Sequence, residues 1–211
     1  MGATRRGREA GLFSFYPGDL HNGAGRWISV NGCNVFIAAC TPMDKHGYFM
    51  IPLCLIHERA FLEAADRVIL QVNENLPRIY GDTEVHIRDV DMIVEAATPL
   101  PYLPQSKPSE LEETIGQYVA SLVNDGDTVQ LGIGGIPDAA AMALMDKHDL
   151  GVHSEMITNS MGDLLEAGVI TGRKKNFLPG KMVGTFAYGT QKLYDLLDEN
   201  PSMLMLRGET V

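Results

Sequence analysis

The stretch Thr128–Ile157, TVQLGIGGIPDAAAMALMDKHDLGVHSEMI, decides how this chain folds. It opens on an apolar run, Thr128 to Ile133, and turns through Gly132, Gly134 and Gly135. Helical spacing follows from Pro137 to Asp146, and a second predicted strand covers Val152 to Ile157. Strand, tight turn, helix and strand form a crossover, which joins parallel strands. Downstream the alternation continues with a predicted helix near Gly162 to Ala167, a strand from Lys181 to Ala187, a helix from Thr190 to Glu199 and a strand from Ser202 to Leu206. The fold class is therefore α/β, with an open and mainly parallel sheet. That sheet has about four strands, and the last is expected to be left as an unpaired edge.

Upstream, Ser109 followed three residues later by Glu112 predicts a capping box. The helix it starts has Leu111, Ile115, Val119, Leu122 and Val123 as its expected apolar face, and Asp125 and Gly126 end it. Before it, Pro99, Pro101, Pro104 and Pro108 block both helix and ladder and predict an extended connector. A boundary there divides the chain into two α/β units, residues 1–104 and 105–211. In the first unit Asn34 to Ala39 reads as a buried strand, Pro42 to Gly47 as a turn before Tyr48 and Phe49, and His57 to Ala65 as a helix. Arg67 to Val72 and Met92 to Ala96 read as two further strands. Residues 1 to 34, rich in glycine and aromatics, show no sustained period and are expected to be irregular.

Twenty-seven acidic against seventeen basic side chains give a formal charge of −10, which disfavours a nucleic-acid partner. A phosphorylated small molecule stays possible, because a helix N-terminus binds anions locally. Arg5, Arg6 and Arg8 precede no apolar run of signal-peptide length, and no stretch is long and apolar enough to span a membrane. The expectation is a soluble, unexported protein. Cys33, Cys40 and Cys54 are odd in number and lack ligand spacing, so neither a disulfide framework nor a structural metal is expected, and a reducing cytoplasm suits them.

The segment Gly132, Ile133, Gly134, Gly135, Ile136, Pro137 allows close backbone approach to a ligand, with Pro137 in the first turn of the next helix. A tight turn without a ligand explains the same glycines. A dinucleotide site is the other alternative, since Glu155 follows at the distance of a ribose-binding acid. Against that alternative, Pro137 replaces the third glycine, and Glu155 is expected inside its strand with Met156 and Ile157 after it. His153 precedes Glu155 by two positions, which in a strand places both on one face.

Several motifs in order resemble the acetyl-CoA hydrolase/transferase family, in its branch of 4-hydroxybutyrate and butyrate CoA-transferases. They are TPMDKHGYF (Thr41 to Phe49), VILQVNENLPRIYGDTEVHI (Val68 to Ile87), VDMIVE (Val90 to Glu95), QLGIGGIPDA (Gln130 to Ala139), LGVHSEM (Leu150 to Met156) and DLLEAGVITG (Asp163 to Gly172). The resemblance implies two CoA-transferase-type α/β domains, both incomplete in this chain. It also implies Glu155 as the nucleophile that attacks an acyl-CoA thioester, with Gly132 to Pro137 against it at the CoA site. Coenzyme A then enters as substrate and no cofactor is permanently bound. The implied partners are an acyl-CoA and a short-chain carboxylate, and the implied assembly is a homodimer. His46 lies in a loop the resemblance puts near the cleft, His153 is given an orienting role, and Asn159 contacts substrate or caps a loop. Hydrolysis of acetyl-CoA and an inactive remnant are the alternatives within this reading.

Overall fold

A computed structural model describes every residue except 1, 14, 15, 21 and 106. The order of elements is α1 (Gly2–Glu9), α2 (Gly23–Asn31), β1 (Cys33–Cys40), β2 (Tyr48–Met50), α3 (Glu58–Ala64), β3 (Ala65–Val72), β4 (Glu84–His86) and β5 (Met92–Glu95). After the proline connector come α4 (Glu110–Leu122), β6 (Thr128–Val129), α5 (Gly135–Ala143), β7 (Gly151–Val152), β8 (Met156–Ile157) and α6 (Asn159–Glu166). The chain ends through β9 (Met182–Gly184), β10 (Phe186–Ala187), α7 (Gln191–Leu197), β11 (Met203–Met205) and a 3-10 turn, Gly208–Thr210. Residues expected to be irregular thus contain two helices. In α2, Gly23 and Gly25 obscure the helical period, yet Ala24 is buried.

The first unit is built on a parallel sheet in the order β1, β3, β5, with Phe36 opposite Val68 and Leu70 opposite Ile93. β2 and β4 form an antiparallel pair whose Phe49 and Val85 join Phe36, Cys40, Val68 and Leu70 in one core. Among the described residues, only one face of this sheet is covered. Val35 and Ile37 are exposed, so the run expected to be a fully buried strand is buried on alternate residues.

The second unit assembles its parallel strands in steps. β6 pairs with β7, β8 with β10 and β9 with β11. A parallel bridge between His153 and Val183 keeps the same thirty-residue offset as the pairing of Met156 with Phe186, so the β7–β8 strand lies in one continuous register beside β9–β10. Both expected strands are interrupted. The bridge residue His153 with Ser154 and Glu155 separates β7 from β8, and Thr185 separates β9 from β10. The N–H groups of Thr185 and Phe186 both donate to the Glu155 carbonyl, at 3.0 and 3.1 Å. Two donors on one acceptor break the ladder and bend the chain. Glu155 therefore sits at a break in the strand, not inside it.

Two further expectations are corrected. β11 does not end as a bare edge: Met205 N–H donates to Tyr80 C=O at 2.8 Å and Asp82 N–H to Met205 C=O at 2.9 Å. The first unit supplies the missing neighbour, and Met203 and Met205 are fully buried. In α4 the capping box of Ser109 and Glu112 is present, but the expected apolar face is covered only in part: Val123 packs on the core and Ile115 is half-buried. Leu111 and Leu122 are 70% and 80% exposed, while Gly116 and Ala120 are buried. The small pair wins because it lets α4 approach the backbone of α5 at Ala139, which longer side chains would prevent.

Leu55 and Ile79 of the first unit belong to the core formed by Leu144, Ile157, Leu164 and Met203 of the second. Leu55 N–H donates to Thr185 C=O at 2.7 Å, and Ala187 N–H to Leu53 C=O at 3.1 Å. Segments 53–56 and 79–82 are thus joined to residues 184–206 through backbone bonds as well as side chains.

Candidate functional site

The break at Glu155 opens on a cavity of ≈ 170 Å³ lined by Leu20, Ile56, Gln130, Glu155, Thr185, Gly208 and Val211. Each wall has a separate origin. Gln130 follows β6 directly, and Thr185 stands in register with Glu155 across the interrupted ladder. Ile56 continues the segment that pairs with β10, and Gly208 N–H donates to Leu55 C=O at 3.2 Å. Gly208 is required to be small there: a Cβ would lie 2.7 Å from the Ile56 carbonyl oxygen.

Glu155 is exposed, and among the described residues its carboxylate takes part in no hydrogen bond or ion pair. The other side chains lining the cavity are uncharged. A carboxylate that is neither paired nor hydrogen-bonded keeps its lone pairs available for attack on an electrophile. Thr185 is 2% exposed, and its hydroxyl has no partner.

The other predicted residues lie outside this lining. His153 adjoins Glu155 in sequence, but its ring Nε2 lies 3.2 Å from the Thr210 carbonyl and its ring is 5.9 Å from that of Phe177. It holds the terminal turn whose next residue, Val211, walls the cavity. Any orienting effect it has on Glu155 runs through that turn. His46 sits in the β1–β2 turn, where its N–H donates to Asp44 Oδ1 at 2.8 Å. The same carboxylate accepts from Tyr48 N–H at 2.8 Å, and these two bonds with Arg78 hold the Asp44 carboxyl below its usual range. Asn159 ties loops together: its amide donates to Leu103 C=O at 3.2 Å, and its oxygen accepts from the N–H and hydroxyl of Thr190 at 2.8 and 3.0 Å.

In the glycine turn, Gly132, Ile133 and Ile136 are exposed, and Gly134 has φ +126, which a side chain rarely adopts. Pro137 lies in the first turn of α5. The Glu112 carboxyl lies against Gly135, and a Cβ there would displace it from the Ser109 cap. The Glu112 carboxyl accepts from the N–H and hydroxyl of Ser109, which hold it below its usual range. An ionised carboxylate therefore already lies against the first residue of α5, where a pyrophosphate would need room and a positive field.

Behind the turn, Asp138 Oδ1 accepts from Ser160 Oγ at 3.0 Å, and burial pushes the Asp138 carboxyl up from its usual value. Among the described residues no group of three or more His, Cys, Asp or Glu side chains could hold a metal ion. No helix among them is long and apolar enough to cross a membrane.

Sequence reasoning missed Gln130 and Thr185 as members of the site. Gln130 opens the motif QLGIGGIPDA, in which the glycines behind it carry the stronger signal. Thr185 is marked by a hydroxyl in the otherwise apolar run MVGTFA.

Residues 3–104 match the model of the acetyl-CoA hydrolase/transferase N-terminal domain. Over 158 residues the chain is 47% identical to the 4-hydroxybutyrate coenzyme A transferase of Clostridium kluyveri, covering 75% of this chain and 37% of that protein. RipA from Yersinia pestis superposes with a TM-score of 0.91 at 32% identity, over 99% of this chain and 49% of that one. The 4-hydroxybutyrate CoA-transferase of Porphyromonas gingivalis superposes with a TM-score of 0.86 at 34% identity, over 90% of this chain and 49% of that one. The chain spans less than half the length of these relatives. Its motifs, its parallel α/β architecture and these likenesses agree, and the chain belongs to the acetyl-CoA hydrolase/transferase family.

Proposed function

We propose that the protein takes part in transfer of CoA between an acyl-CoA and a short-chain carboxylate of the acetate, butyrate or 4-hydroxybutyrate type, with Glu155 as nucleophile. The observation that carries this reading is the unpaired Glu155 carboxylate at the strand break, beside a small cavity whose other lining side chains are uncharged. A Glu155 oxygen attacks the acyl carbonyl carbon, the C–S bond breaks, and an acyl-glutamyl anhydride and CoA thiolate result. The thiolate then attacks the glutamyl carbonyl, releasing the first carboxylate and leaving a glutamyl-CoA thioester. An incoming carboxylate reverses both steps, so acyl activation is conserved and no net proton or electron is exchanged.

The aliphatic walls Leu20, Ile56 and Val211 suit a short acyl chain. The volume of ≈ 170 Å³ corresponds to about five or six waters at bulk density, enough for a small carboxylate and far less than a whole acyl-CoA. The Gly132–Gly134 segment, exposed at Gly132 and Ile133, is the proposed contact for the neutral, thiol-bearing end of CoA. The Glu112 carboxylate at α5 argues against seating its phosphates there. His46, His153 and Asn159 act, in this reading, by shaping loops around the cleft. Residues 1–104 and 105–211 are proposed as the two units that meet at the cavity, in a cytoplasmic homodimer whose free thiols fit a reducing compartment.

Glu155→Gln tests the assignment, because an amide cannot form the anhydride. Acyl-CoA followed by borohydride should reduce the wild-type side chain at Glu155 and leave the variant intact. Near-normal exchange of acetyl-CoA with butyrate by the variant would exclude Glu155 as nucleophile.

A further inference from the structure

Thr185 presents an unexplained feature. It is 2% exposed, and its hydroxyl oxygen is buried without a partner. A buried hydroxyl left unmade is costly, whereas valine has nearly the same shape and would fill the site without that cost. The chain nevertheless places a hydroxyl in an otherwise apolar run, MVGTFA (Met182 to Ala187), at the one position where that strand breaks.

Position adds the second half of the argument. Thr185 lies in register with Glu155, lines the same cavity, and donates its own N–H to the Glu155 carbonyl at 3.0 Å. Its backbone is held on the other side by Leu55 N–H at 2.7 Å. The residue is fixed from both flanking segments while its side-chain donor stays unused. A donor held rigid and unsatisfied in the resting state is suited to an oxygen that gains charge only during reaction.

We propose that the Thr185 hydroxyl is a catalytic donor to the Glu155 side-chain carbonyl oxygen during formation and breakdown of the glutamyl-CoA thioester, an assignment that rests on Glu155 being the nucleophile. When the CoA thiolate adds to the glutamyl carbonyl carbon, the C=O electron pair moves onto oxygen. The Thr185 O–H donates a hydrogen bond to that oxyanion and keeps its proton. As the pair returns, the bond to the departing acyl carboxylate breaks and the thioester remains.

The experiment treats the full chain with butyryl-CoA and follows the rate of covalent CoA attachment by intact mass, comparing wild type with Thr185→Val, Thr185→Ser and Glu155→Gln. Thr185→Val is expected to slow attachment by about 100- to 1000-fold, the usual loss of one oxyanion donor. Its melting temperature should stay equal to or above that of the wild type, because the orphan hydroxyl is gone. Thr185→Ser, which keeps the hydroxyl, should recover most of the rate even if packing loss lowers its melting temperature. A Thr185→Val chain labelled at the wild-type rate, or a serine variant as slow as valine at equal folding, overturns the donor role and leaves Glu155 untouched. Attachment to Glu155→Gln at the wild-type rate, or no attachment to wild type, overturns the glutamyl reading and this proposal with it.

Discussion

Gly116→Ala reverses sign according to which face of α4 is buried. If the stripe of Leu111, Ile115, Val119, Leu122 and Val123 faced the core, Gly116 would lie only at its edge, and alanine there would stabilise the helix by about 1 kcal/mol through propensity alone. In the structure Gly116 is buried against α5, and an added Cβ would lie 2.6 Å from the Ala139 carbonyl carbon, 2.7 Å from its oxygen and 2.9 Å from Ala140 N. All three atoms are backbone, so no rotamer change relieves the clash and the two helices must separate. Overpacking of this kind costs roughly 1–3 kcal/mol, and contact with backbone belongs at the upper end. Subtracting the propensity gain leaves a net loss of about 1–2 kcal/mol, or about 3–6 °C in melting temperature for a chain of this size. Urea unfolding followed by far-UV circular dichroism measures it, with Leu122→Ser as a control expected within about 0.5 kcal/mol because that residue is 80% exposed. A Gly116→Ala variant with a higher urea midpoint at unchanged slope would refute the assigned face.

Gly134→Val should damage acyl-CoA turnover while leaving the circular dichroism spectrum nearly unchanged, since φ +126 strains a branched residue but only Pro137 lies near its Cβ, at 3.9 Å; unchanged kinetics would make the turn purely structural. Burial pushes the Cys40 thiol up to about 11, and burial with Glu58 nearby pushes Cys54 up to about 12, so brief alkylation at pH 8 should mark Cys33 first, with mapping by peptide mass as the check. Lys175 is buried with its ammonium on the Val152 and Lys181 carbonyls at 2.9 and 2.8 Å, and burial lowers its pKa below the unfolded value of about 10.4. In the window between the two values the unfolded chain binds more protons, so stability should rise with pH there, and Lys175→Met should flatten that rise; superimposable pH profiles would refute it.

Regular elements with an unbroken period were legible in the sequence. The capping box at Ser109, the helix of α3 and the strands β1, β3 and β5 follow from local pattern alone. What failed required knowledge of the partner. Leu111 and Leu122 look like a core face until α5 offers an alanine-rich backbone for Gly116 to pack against. β11 looks like a bare edge until Tyr80 to Asp82, from more than a hundred residues earlier, pairs with it. Tertiary contact decided both, and neither leaves a trace within a short window of sequence.

The site divides along the same line. Glu155 could be singled out from its motif, but its placement at a break in the strand could not, because Val152 to Ile157 reads as one run. The break becomes readable once the register is known. With an offset of thirty residues, Ser154 and Glu155 stand opposite Gly184 and Thr185, so the two polar interruptions coincide and the ladder fails in both strands at the same level. Polar residues isolated in a predicted buried strand usually mean that the strand assignment is wrong. Here they mean that two neighbouring strands lose their regular pairing at the same level while single backbone bonds still join them, and it is the Thr185 hydroxyl, buried and unpartnered, that makes the distinction. A misassigned loop would have offered that hydroxyl to water.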